Sequence, residues 1–222
     1  MKIITLLTVF AFALSSTFAQ EMTIKYDIEM SSDDSQVQSQ LGMMEGSTLT
    51  MYAKDKKFRQ EMNMGSGIMK TTTIMDSKSN KGVILMDGMM GKQASSFDLD
   101  EFKGEKEDSD TDLEVELVDE TKEILGYTCK KAIIYTESDN ELVYWYTEEI
   151  KPVQNATNAK YIQKGVPGMP LEFSITQPQM TMVFTATMVE EKVKEENVFD
   201  LTIPEGYTEK SYEEITNMSG GQ

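Results

Sequence analysis

Polar and apolar residues alternate almost without fault near the start of the chain. Met22, Ile24, Tyr26, Ile28 and Met30 fall on one side, and Glu21, Thr23, Lys25, Asp27 and Glu29 on the other. A two-residue period is that of a strand with one buried face. Residues 47–53, 57–64, 69–75 and 82–86 read as further strands, separated by Lys54-Asp55-Lys56, Gly65-Ser66-Gly67 and the polar run 76–81. Such breaks predict an antiparallel meander, because parallel neighbours need crossovers of about a dozen residues. Ser31, Ser32, Asp33 and Asp34 offer capping side chains before residues 36–44, which read as a short helix or helical loop closing at Gly46. Residues 88–110 lack a clear period and read as a loop or short helix over the sheet.

The second half resumes the pattern. Leu113, Val115 and Leu117 alternate with acidic residues, 124–136 follows with Gly126 as a bulge or bend, and 141–147 sets Leu142, Tyr144 and Tyr146 opposite Val143 and Trp145. After a linker over 151–165, residues 171–175, 180–189 and 198–201 complete the strands, and Pro204-Glu205-Gly206-Tyr207 reads as a terminal turn. The last roughly ten residues of the chain are expected to form a mobile tail. Roughly ten or eleven short strands with one or two helical insertions predict a mostly β fold. The expected form is a strongly curved antiparallel sheet or open half-barrel, with a two-sheet sandwich as its competitor.

Residues 1–19 differ from everything after them. Lys2 precedes an apolar run over residues 3–14, and Thr17-Phe18-Ala19 supplies small residues for cleavage, the pattern of a signal peptide. Cleavage after Ala19 leaves residues 20–222 as one β-rich domain in the periplasm or outside the cell. No later run approaches the roughly 20 apolar residues of a transmembrane anchor.

Composition narrows the chemistry. The 222 residues include 38 acidic against 21 basic side chains, a formal charge of -17, which repels phosphate backbones and makes nucleic acid a poor partner. Histidine is absent, which removes imidazole-dependent hydrolysis and His-ligated zinc chemistry. The phosphate-binding and dinucleotide-binding glycine loops are also absent from the sequence. The single Cys129, beside an alternating apolar run, reads as a small buried hydrophobe. Asp108, Asp110 and Asp112 start a calcium-loop spacing, but Leu113 and Asp119 stand where its glycine and final glutamate belong. No catalytic residues, metal ligands or cofactor are assigned.

Methionine is the unusual feature: 18 are present, many in clusters such as Met43-Met44, Met62 with Met64, Met89-Met90 and Met180 with Met182. Pairs two apart share one strand face, which fits an ordinary core stripe and equally a flexible apolar cavity, since thioethers adapt to variable shapes. Cu(I) binding by thioether sulfur is the minor alternative. Met22, Ile24, Tyr26, Met62, Met64, Met75, Tyr144 and Tyr146 are the candidate ligand-binding residues of an apolar concave face.

Thr71-Thr72-Thr73-Ile74-Met75-Asp76, Gly126-Tyr127-Thr128-Cys129-Lys130-Lys131-Ala132, Tyr144-Trp145-Tyr146-Thr147 and Ile203-Pro204-Glu205-Gly206-Tyr207, with Phe199, resemble an exported bacterial family, domain of unknown function 4412. Gly165-Val166-Pro167-Gly168-Met169-Pro170 also resembles the GLPGLI family, departing at its last two residues. The resemblance implies a LolA-like open barrel with helices in its concavity, and no catalytic residues. These readings together predict an exported hydrophobic-ligand or lipid- and lipoprotein-binding envelope protein, with an acyl chain, lipid or lipoprotein as ligand. The alternative is a non-enzymatic structural or protein-interaction module with an envelope protein partner.

Overall fold

The alternation of residues 21–31 becomes strand β1 (Glu21–Ser31), which buries Met22, Ile24, Tyr26 and Ile28 on what is here termed the front face. The computed structural model describes residues 21–89, 91–100, 114–135, 141–150, 165–177, 179–195 and 197–219. The signal peptide expected over residues 1–19, the calcium-like aspartates 108–112 and most of the linker over 151–165 therefore lie outside the described residues. Asp34 caps helix α1 (Ser35–Leu41), its Oδ1 accepting from Gln36 N at 2.7 Å and Val37 N at 3.3 Å. A 3-10 turn (Gly42–Met44) leads from there into β2 (Ser47–Lys54).

β2, β3 (Lys57–Met64), β4 (Met69–Asp76), β5 (Lys81–Gly88) and β6 (Gly91–Asp98) follow as an antiparallel meander. Strand β6 falls where the sequence reads as a loop. Its front-face positions are Gln93, Ser95 and Phe97, so polar residues interrupt the apolar row, and packing supplies what the pattern lacks. The Phe97 ring lies over Gly82, where a β-carbon would stand 2.3 Å from Phe97 Cζ, so a side chain at Gly82 would displace it.

A second meander comprises β7 (Glu114–Ile124), β8 (Tyr127–Tyr135), β9 (Glu141–Thr147), β10 (Met169–Gln177) and β11 (Met180–Glu190). Gly126 is not a bulge inside one long strand. Leu125 (φ 53°) and Gly126 (φ 83°) form the two-residue turn between β7 and β8, and two positive φ values match the twist of a tight hairpin. The chain then crosses back to β6. Leu201, Ile203 and Tyr207 cover Val83, Leu85 and Ala94 on the back face, and β12 (Thr208–Glu209) pairs in parallel with β6. Helix α2 (Tyr212–Ser219) follows, with Tyr212 5.1 Å from Phe97 and Ile215 fully buried in the main core. The last segment thus rounds the β6 edge from back to front. Residues 220–222, the end of the expected tail, lie outside the described residues.

Among the described residues, twelve strands join one sheet in the order β12-β6-β5-β4-β3-β2-β1-β11-β10-β9-β8-β7. This corrects the expected strongly curved half-barrel and its sandwich competitor: the mostly antiparallel sheet is neither closed nor strongly curled. β1 pairs with β2 on one side and β11 on the other, so the two meanders join edge to edge at the centre and leave β12 and β7 at opposite ends. Nor, among the described residues, do helices fill a LolA-like concavity. Helix α1 buries no residue, and α2 packs beside β6, next to the terminal strand β12.

Candidate functional site

Residues paired directly across neighbouring strands point to the same face, so the register places the candidate ligand-binding residues without ambiguity. Tyr26 stands opposite Leu49, and Leu49 opposite Met62; Met22 stands opposite Ala53, which continues through Phe58 to Met75. In the second meander, Ile28 faces Phe184, Phe184 faces Phe173, and Phe173 faces Tyr144. The front face therefore does bring Met22, Ile24, Tyr26, Met62, Met75 and Tyr144 together.

What fills that face is aromatic packing. Phe173 stacks on Phe184 with ring centroids 4.5 Å apart, and Tyr26 and Tyr144 meet Phe173 edge-on at 5.6 and 5.7 Å. Tyr26 Oη donates to Pro170 O at 2.8 Å, and Pro170 itself stands opposite Tyr146. That hydrogen bond satisfies a hydroxyl taken fully out of water, and burial raises the Tyr26 pKa so that it stays protonated. Met22, Ile24, Tyr26, Met75, Tyr144 and Tyr146 are all buried, while Met62 and Met64 are half-buried. At its aromatic centre the expected concave face is a packed core.

Cys129 is buried, its thiol donating to Tyr127 O at 3.7 Å, and desolvation pushes its pKa up to about 11. A thiol protonated at neutral pH is a poor nucleophile. On the back face, Trp145 carries Lys122 Nζ 4.5 Å from its ring centroid, and the same ammonium pairs with Glu172 at 2.6 Å. Among the described residues no group of three or more Cys, Asp or Glu is placed to hold a metal ion, and no helix is long and apolar enough to cross a membrane.

Two features escape a strand-by-strand reading. The first is Arg59, the chain's single arginine. Its Nε donates to Glu61 Oε1 at 2.7 Å and its Nη1 to Val198 O at 2.8 Å, fastening the returning C-terminal segment to the back of β3. Desolvation opposes ionisation of Glu61, but Arg59 and Lys70 outweigh it and hold the carboxyl below its ordinary value. The second is a hollow of about 250 Å³ at the end of β3–β6, lined by Met44, Met64, Met69, Met86 and Met89. Of the eight candidate residues only Met64 lines it. The methionines were visible in the sequence as clusters, but their meeting depends on two 3-10 segments, Gly42–Met44 and Gly65–Gly67, and the β5–β6 turn, which bring distant residues to the same end of the sheet.

A family model described as the N-terminal domain of the N-glycanase peptide matches residues 106–194. A comparison with curated proteins finds no match. Two solved structures of PNGF-II, in space groups C2 and P21, cover 90% of this chain at 18% and 16% identity, each with a TM-score of 0.49. The chain spans about a third of the length of those structures, 32% and 33%. The family match falls on the segments that carry the Gly126–Ala132, Tyr144–Thr147 and Gly165–Pro170 motifs, so it corrects the kinship with domain of unknown function 4412 and with GLPGLI. The LolA-like and lipid-binding readings derived from that kinship, and from a concave face that is packed at its centre, fall with it.

Proposed function

We propose that this chain is a non-catalytic accessory module of an exported protein, and that it engages a protein partner along the edge strand β7. The observation that carries the reading is the match of residues 106–194 to a model named for the N-terminal domain of an N-glycanase, a part of an enzyme. β7 lies inside that stretch and ends the sheet. The leader pattern of residues 1–19 supports export, and an envelope or extracellular setting follows from it.

An edge strand presents unpaired backbone N–H and C=O groups that a second chain can pair with. On β7 those groups are flanked by Glu114, Glu116, Asp119, Glu120 and Glu123, and Leu117 among them is 56% exposed. Two copies of such an edge repel each other, whereas a strand bearing lysine or arginine is attracted. The register breaks between Val118 and Thr121, which limits regular pairing to the first half of β7. Leu117 would be the apolar anchor of that half.

A photo-crosslinking residue at position 117, in the protein expressed in its native envelope, is expected to yield a discrete protein adduct. Leu117→Asp, which removes the anchor and adds charge, is expected to abolish binding of the isolated partner. Absence of any protein adduct overturns the docking edge. Release of glycan from an N-glycopeptide by the purified protein overturns the accessory role. Export is checked separately by intact mass, with the mature chain expected to begin at Gln20.

A further inference from the structure

Packing explains one set of methionines and leaves another unexplained. Met22, Met51, Met75 and Met169 are at most 9% exposed and belong to the main core. At the end of β3–β6, Met69 is 40% and Met89 93% exposed, and they adjoin one another on a single hollow instead of standing singly. Met69 and Met89 line the hollow of about 250 Å³ together with Met44, Met64 and Met86.

The hollow has a local cause in the sequence. Met64 stands directly opposite Met69, which places their β-carbons roughly 5 Å apart. On the next two strands the corresponding positions are Gly88 and Gly91, themselves paired, so no side chain fills the row. A β-carbon on Gly88 would stand 3.5 Å from Met69 Cγ, an ordinary contact, and one on Gly91 would meet nothing within 4 Å. Five thioether side chains, together with Ile68 and Gln93, therefore border a space floored by glycine backbone.

The donor set selects the ligand. Thioether sulfur is neutral and soft, binding Cu(I) while offering little to Zn²⁺, Ca²⁺ or Mg²⁺. Asp87 also borders the hollow, but it pairs with Lys92 at 3.4 Å. The formal charge of -17 raises the local concentration of any cation around the molecule, and a monovalent ion needs no carboxylate ligand to be held. Met89 stands exposed beside the hollow, where an ion would arrive.

We propose that Met44, Met64, Met69, Met86 and Met89 form a thioether site for one Cu(I) ion. The site is independent of the partner edge β7, and either can fail without the other.

The test is anaerobic titration of the protein with Cu(I), kept reduced by ascorbate, in competition with a colorimetric Cu(I) chelator. One ion per chain is expected, with an X-ray absorption signature of sulfur neighbours. Met64→Leu with Met86→Leu keeps side-chain volume and is expected to weaken Cu(I) affinity by more than about tenfold. Gly88→Leu, which fills the hollow and removes no sulfur, is expected to do the same. Met51→Leu with Met75→Leu, both in the core, leaves affinity unchanged, and circular dichroism establishes that each variant is folded. The proposal is overturned if the wild-type protein retains no Cu(I) against the chelator, if the folded hollow variants bind as well as wild type, or if the core variants lose affinity equally.

Discussion

Arg59 reaches across the back of β3 to a carbonyl 139 positions later in the chain, and lysine could not reproduce the geometry. A guanidinium offers a planar fork of donors, whereas an ammonium is a compact point charge. Arg59→Lys keeps the charge but is expected to lose the Val198 bond or the Glu61 bond, at a cost of about 2 kcal/mol in urea unfolding. Glu61 gives the same contact a pH signature. A carboxyl with a folded pKa below its unfolded value adds stability in full above the unfolded value, and that stability is lost as pH falls through the folded one. The Glu61 contribution to the urea midpoint should therefore be constant above the ordinary glutamate value of 4.5 and decline below it. Glu61→Gln should remove part of that decline. None of this was legible in the sequence. A lone arginine among lysines is visible there, but its partner is a backbone carbonyl in a segment that reads as a strand.

Local chemistry announces some elements and conceals others. β1 is legible because every second residue from Met22 to Met30 is apolar, and the 3-10 turn at Gly65–Gly67 because glycine marks it. β6 is not, since Gln93 and Ser95 occupy positions where β1, β2 and β5 place apolar side chains. Helix α2 was legible by a rule that a polar tail obscures. Ser211 and Glu214 form a reciprocal capping box, with Ser211 Oγ accepting from Glu214 N at 3.2 Å and Glu214 Oε2 from Ser211 N at 2.9 Å. Ser211→Ala is expected to cost about 1 kcal/mol. Because α2 lies over Phe97 and buries Ile215, the loss should appear as faster proteolysis at the C-terminal end before global unfolding, a difference that limited digestion followed by mass spectrometry can read.

At the scale of the whole molecule, alternation reveals which residues share a face but not what covers it. The sequence places Tyr26 and Tyr144 inward, and both are buried. Their common neighbour Phe173, stacked on Phe184, comes from β10 and β11, and this long-range packing turns an expected ligand surface into a core. Phe173→Ala removes the ring on which the other three converge and is expected to cost about 4 kcal/mol in chemical denaturation. A loss below about 1 kcal/mol would mean that the cluster repacks around the gap. Hairpin spacing predicts neighbours within each meander. It is silent on the β1–β11 seam, and the seam decides between an open sheet and a barrel.

That seam also sets an order of events. Thr23 pairs with Glu190 and Ser31 with Thr181, so the first strand made waits for almost the last before its second edge is closed. Contacts so distant along the chain slow the search for the native state, and β-rich topologies dominated by them fold in roughly milliseconds to seconds. Meander β1–β6 is complete first with a β1 edge still open to any passing strand, the circumstance in which unpaired strand edges favour aggregation. In stopped-flow refolding, shortening Phe184 to leucine is expected to slow folding if the seam belongs to the nucleus and to speed unfolding if it closes last. Late closure is the expected result, with the unfolding arm of the chevron shifted and the folding arm unmoved.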